Sequence, residues 1–226
     1  MRRDAACVNY GEPVALRPLP LPRPMLLRPG GIPVGDGWAF EIKYDGFRAI
    51  VSTEDGFRVR SRRGWSMADR VPELSVLPSG LVLDGELVAF NEHGSPHWPL
   101  PCQRVLHGNR SIPITFVAFD LLAVDGHNLM VNPWEQRRAL LEGLWVDCSV
   151  ARLADVFDHG NVLFDAVVQH GVEGIVAKRR NGIYRPGYRG WMKVKNPSYW
   201  RRESEIELMQ RRRERVGGTP TAAIVS

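Results

Sequence analysis

A chain of 226 residues, 44% hydrophobic and 24% charged, has the composition of an ordinary globular protein of one large domain or two small ones. No apolar run approaches the roughly 20 residues of a membrane span. The opening MRRDAACVNYGEP lacks the apolar segment of a secretory signal. Cys7, Cys102 and Cys148 are scattered, with no CxxC and no histidine at ligand spacing, which argues against a structural zinc and for a reducing cytoplasm. The net charge of +5 invites an anionic partner, and the basic residues cluster: Arg58, Arg60, Arg62 and Arg63, then Lys178 to Arg180, then Lys193 to Arg202.

Residues 1–22, rich in Pro and Arg, read as an extended lead-in. Residues 24–37 read as a loop closed by GGIPVGDG. In WAFEIKYDGFR, residues 38–48, Trp38, Phe40 and Ile42 alternate with Ala39, Glu41 and Lys43, the period of a half-buried strand. Strands over 38–43, 47–53 and 57–61 follow, with a turn at Asp55-Gly56. Further strands are expected at 81–90, interrupted by Asp84-Gly85-Glu86, and at 114–124 before Asp125-Gly126.

Asn132-Pro133-Trp134-Glu135 predicts a helix with Asn as N-cap and Pro in its first turn, its apolar face continued by Leu140, Leu141 and Leu144. A second helix is predicted over 161–170, stopping at Gly171. Strands return at 172–178 and 191–194, and residues 203–215 read as a charged helix.

Seven charged residues stand at the ends or interruptions of apolar strands: Lys43, Arg48, Arg62, Glu86, Glu173, Lys193 and Lys195. Burying any one of them unpartnered is costly, so together they suggest a shared polar groove. Lys193 and Lys195, two apart on a strand, share a face and repel one another unless an anion lies between them and the opposite wall. A nucleoside phosphate with magnesium would satisfy both walls. Taken alone, Phe119 reads as a core aromatic and Lys178-Arg179-Arg180 as a solvated face.

In order, KYDGFR, SRRG, DGE, FVAFDLL, EGIVAKR and WMKVK resemble the six collinear motifs of the covalent nucleotidyltransferases, and more narrowly the adenylation domain of bacterial ATP-dependent DNA ligases of the end-joining type. The resemblance runs from about Pro24 to Trp200. It implies an α+β fold in which antiparallel sheets form a nucleotide-binding groove with helices packed outside. The domain would span 23–202, before a charged tail at 203–226.

By the same resemblance, Lys43 is the nucleophile that takes AMP from ATP, and Lys193 and Lys195 contact the α-phosphate. Glu173 is a metal-associated acid, and Glu86 a metal or ribose contact. Arg48 touches the ribose, Phe119 stacks on the adenine, and Glu41 lies where the purine edge is read. Arg62 reaches the 5′-phosphate of a nick, and Arg63, where the family has Asn, adds charge toward DNA. Arg104 would face DNA or hold a surface salt bridge.

The implied cofactors are ATP and magnesium or manganese. The implied partners are DNA nicks or ends, end-joining proteins or a separate OB-type domain, around a cytoplasmic, nucleoid-associated monomer. RNA ligation, mRNA capping and a non-catalytic nucleic-acid-binding module share parts of this pattern. The family places an OB-fold domain after the strand holding Lys195, and the 31 residues that follow Lys195 here are too few for one, which implies slowed self-adenylation.

Overall fold

The computed structural model describes residues 21–145 and 148–199. Most of the anticipated lead-in, Cys7 and the whole charged tail lie outside the described residues. In chain order the strands are β1 (Leu27–Pro29), β2 (Trp38–Ile42), β3 (Phe47–Ser52), β4 (Arg58–Ser61), β5 (Leu81–Val88), β6 (Thr115–Val124), β7 (His127–Asn128), β8 (Ala151–Leu153), β9 (Val156–Phe157), β10 (Gly174–Arg179) and β11 (Trp191–Lys195). The α-helices are α1 (Pro99–Val105), α2 (Trp134–Leu144) and α3 (Gly160–Gln169).

Two sheets form. One has the order β1-β11-β10-β2-β9; the other runs β4-β3-β5-β6-β7, with β8 also pairing β6. Pairing is antiparallel except where β1 joins β11 and β8 joins β6. Period-two alternation assigns the faces of the first sheet. Phe40, Ile175, Ala177 and Met192 pack with Leu163 and Val167 of α3. The intervening positions, among them Val176 and Trp191, face Ile50, Val82, Val117 and Phe119 of the second sheet. The outer face of that second sheet, including Ala49, Val51, Leu83 and Phe116, packs with Met67, Val71, Leu74 and Val105. The expected architecture of sheets around a groove with helices outside therefore holds, and the groove opens between the sheets.

Several elements differ from expectation. The loop assigned to 24–37 contains β1, recruited because Leu27 to Pro29 register against Trp191 to Lys193. Helix α1, absent from the sequence reading, forms over PLPCQRV, with prolines in its first turn. Helix α2 begins at Trp134, and its first amides are capped by backbone, not by Asn132: Trp134 N–H donates to the Gly182 carbonyl (2.8 Å) and Glu135 N–H to that of Arg180 (2.9 Å). Its buried face is Trp134, Arg137, Arg138 and Leu141, while Leu140 and Leu144 are exposed. The stripe turned because Arg137 has a buried partner.

That partner is Asp120 of β6, held by two guanidinium bonds of 2.7 Å with both side chains fully excluded from solvent. Breaking such a pair strands a buried charge, at a cost of about 3–5 kcal/mol. Arg137→Met should lower stability to urea by that amount, and Arg137→Met with Asp120→Leu should recover most of it. An equal loss in the double variant would mean the pair is not the source.

Candidate active site

The site begins from strand register. In the first sheet β10 lies between β2 and β11, with Ile175 opposite Ile42 and Gly174 opposite Lys195. Lys43, one residue beyond β2, donates its backbone N–H to the Gly174 carbonyl (2.8 Å). Glu173, one residue before β10, is thereby set between two lysines from the flanking strands. Its Oε2 lies 2.6 Å from Lys43 Nζ and its Oε1 3.4 Å from Lys195 Nζ. Gly174 makes this approach possible. Its φ of +154° disfavours L side chains, and a Cβ there would collide with the Val194 carbonyl oxygen. Lys193 follows the alternation of Lys195 onto the groove face.

The second sheet supplies the opposite wall. Arg48 pairs in register with Glu86 across β3 and β5. Its guanidinium grips Asp84, Nε to Oδ1 at 2.5 Å and Nη2 to Oδ2 at 2.6 Å. Asp84, fully buried, also accepts the Tyr184 hydroxyl at 2.6 Å. This clamp fixes Arg48 over the rings of Phe119 and Trp191, 4.6 and 5.1 Å from their centroids.

A groove of about 750 Å³ results, lined by all seven strand-end charges and by Arg63. A narrower recess adjoins it, walled by Glu41, Phe119, Val176, Lys178 and Trp191 and shared with Lys43, Arg48 and Glu86. The ten residues that the resemblance assigns to the nucleotide, the metal or the nick, Lys43, Arg48, Glu41, Arg62, Arg63, Glu86, Phe119, Glu173, Lys193 and Lys195, thus all line one of two connected cavities. Phe119 and Glu41 line the recess; Arg62 and Arg63 are exposed at the groove's lip.

Two expectations are corrected. Lys178 is not on a solvated face. It is 1% exposed, with Nζ 2.8 and 2.7 Å from the two oxygens of Glu41 and 3.0 Å from the Phe119 carbonyl. It also lies over the rings of Phe119 and Trp191 at 4.4 and 4.3 Å. Burial pushes the Glu41 carboxyl up and the Lys178 amine down, both toward neutrality, and their mutual contact opposes this. Arg104 does not face outward either; it is buried, doubly bonded to Glu73 at 2.7 Å and to three backbone carbonyls that tie down the 70–112 region. The sequence reading also missed Asp84 and Tyr184 as anchors of Arg48. The available signal was Asp84 itself, an acid inside an apolar strand and on the same face as Glu86.

Among the described residues no group of three or more His, Cys, Asp or Glu side chains converges as a metal cage. Glu86 and Glu173 fit a magnesium-type ion only if phosphate oxygens complete its shell, which is the usual arrangement for that cation.

Two curled sheets around a groove with lysines and carboxylates at its floor are the adenylation-domain fold of the nucleotidyltransferases. Residues 33–195 match the ATP-dependent DNA ligase domain, and the chain belongs to that family. It is 36% identical over 167 residues to the multifunctional non-homologous end joining DNA repair protein LigD of Mycobacterium tuberculosis, covering 70% of this chain and 22% of the relative. It is 32% identical over 213 residues to a DNA ligase of Thermococcus onnurineus, covering 83% of this chain and 37% of that one. The solved mycobacterial DNA ligase D complexed with ATP and MES superposes with a TM-score of 0.68 at 34% identity, over 77% of this chain and 60% of that chain. The chain therefore spans about a fifth of LigD and well under two thirds of the archaeal enzyme.

Glu86 carries a pH signature. Burial pushes its carboxyl up to about 7, aided by Glu173 and Asp45 and opposed by Arg48 and Lys43. Between about 4.5 and 7 the folded chain holds this proton and the unfolded chain does not, so the stability it contributes is complete below 4.5 and lost as pH rises through 7. Urea midpoints in metal-free buffer should show wild type losing stability relative to Glu86→Gln between pH 5 and pH 8; a gap independent of pH would contradict the assignment.

Proposed function

We propose that this chain is the catalytic domain of an ATP-dependent DNA ligase. The observation that carries the reading is the Lys43–Glu173–Lys195 bridge at the floor of the groove. Lys43 Nζ attacks the α-phosphorus of ATP, forming an N–P bond as the bond to pyrophosphate breaks. The AMP then passes to a 5′-phosphate of DNA, regenerating the amine. A 3′-hydroxyl displaces AMP and closes the phosphodiester.

The first step needs a neutral amine, because an ammonium has no lone pair. Glu173 Oε2, at 2.6 Å, is placed to receive the departing proton. Lys193 and Lys195 add positive charge on the same face, where the α-phosphate gains negative charge. Glu86 and Glu173 are the side chains that would hold magnesium or manganese, which would neutralise the phosphate oxygens. Arg48, immobilised by Asp84, offers a fixed donor to the ribose. Phe119 and Val176 wall the recess for the base, and Glu41 reads its edge. Arg62 and Arg63 at the lip meet the DNA, in a repair or recombination setting.

Sealing of an end-labelled nicked duplex with ATP and magnesium tests this. Lys43→Ala should cost about a thousandfold or more, the scale of losing a covalent nucleophile. Lys43→Arg should do no better, since guanidinium stays charged. Undiminished sealing by either variant would overturn the proposal.

A further inference from the structure

A second cleft, of about 490 Å³, lies against the outer edge of the second sheet. It is lined by Arg23, Arg58, Arg60, Arg62 and Arg63 with Leu21, Pro22, Pro24, Ser61 and Gly64, and no acid is among these residues. It shares Pro24, Ser61, Arg62 and Arg63 with the main groove, so the two are continuous. Strand β4 forms its wall. Within that strand Val59 and Ser61 turn inward and are buried, which sends Arg58 and Arg60 to the other face. Cross-strand register puts Arg60 beside Ile50 and Arg58 beside Ser52, and Ile50 in turn beside Asp84. The arginines therefore extend the face that carries Arg48 and Glu86 out to the sheet edge.

Spacing and bonding both leave this row suited to a repeating anion. Alternate residues on a strand stand about 7 Å apart, comparable to successive phosphates along a nucleic-acid strand. Arg60 is exposed and spends one N–H on the Gly64 carbonyl at 2.9 Å, which shapes the turn carrying Arg62 and Arg63. Arg58 gives one N–H to Ser52 Oγ at 3.3 Å, and its Nε is buried without a hydrogen-bond partner. Neither residue forms a salt bridge among the described residues. A guanidinium row with no carboxylate opposite it gains most from a ligand bearing regularly spaced negative charge.

We infer that Arg58 and Arg60, with Arg23 and Arg62, form a phosphate-tracking cleft that holds one nucleic-acid strand as it leaves the reaction groove. This rests on the nucleic-acid reading of the chain, and it adds a contact zone outside the groove itself. Contact is to backbone only, so it is independent of base sequence.

The test is binding, measured by fluorescence anisotropy of a labelled nicked duplex without ATP across a range of salt. Each phosphate contact contributes about 0.9 to the slope of log affinity against log salt on duplex DNA, or about 0.7 on a single strand. Arg58→Gln with Arg60→Gln should therefore flatten the slope by about 1.8 on duplex. Arg60→Gln alone should flatten it by about 0.9 and Arg60→Lys should restore it, which separates lost charge from a disturbed turn. Urea midpoints confirm that each variant is folded. An unchanged slope in folded double variants, with wild type binding normally, overturns the cleft while leaving the ligase reading intact. No salt-dependent binding by wild type overturns both.

Discussion

The floor of the groove is organised by one carboxylate held between two ammonium groups. Glu173 reaches Lys43 with one oxygen and Lys195 with the other, across three neighbouring strands. No loop flexibility is required, because antiparallel register dictates that the end of β2, the start of β10 and the end of β11 meet at one level. Gly174 is the concession: the β11 backbone approaches so closely that no Cβ fits. The fold thus assembles charges of like sign that would not otherwise come together, and it keeps them together by seating the opposite charge in the middle.

The same device recurs on both walls with different partners. Arg48 is fixed by Asp84, which Tyr184 also holds, and Lys178 is fixed by Glu41. Each cation also lies over Phe119 and Trp191, so the aromatic recess is built around buried charge. Buried pairs of this kind contribute little net stability compared with well-packed apolar residues, since desolvation offsets the attraction. What they supply is fixed orientation before any ligand arrives, which is the property a transfer of charged phosphates needs. The surrounding stability comes from the apolar layers on the two outer faces.

The sequence exposed this site well because its polar residues interrupt strongly apolar strands. Alternation in WAFEIK placed Glu41 and Lys43 on one face, and the same rule placed Lys193 with Lys195. The limits are equally physical. Lys178 follows three apolar residues and precedes two arginines, so local pattern assigns it to solvent; only the register of β10 with β2, which sets Val176 opposite Glu41 and Lys178 two residues further along on the same face, brings it to Glu41 from 137 positions away. The reading of Arg104 failed in the same way, and Arg137 drew no reading at all, since a buried arginine is legible only from its distant partner. Asn132 looked like a helix cap because the chain carries no sign that carbonyls from the 180–182 turn would take that role.

The central claim is that Lys43 Nζ, and no other amine of this lysine-lined groove, forms the covalent bond to the nucleotide. Incubation of the purified chain with ATP and magnesium, followed by proteolysis under alkaline conditions and fragmentation mass spectrometry, locates the adduct directly. The account predicts AMP on Lys43 in wild type, with Lys193 and Lys195 unmodified. AMP on either of those lysines, or its retention in a Lys43→Ala chain, would contradict it.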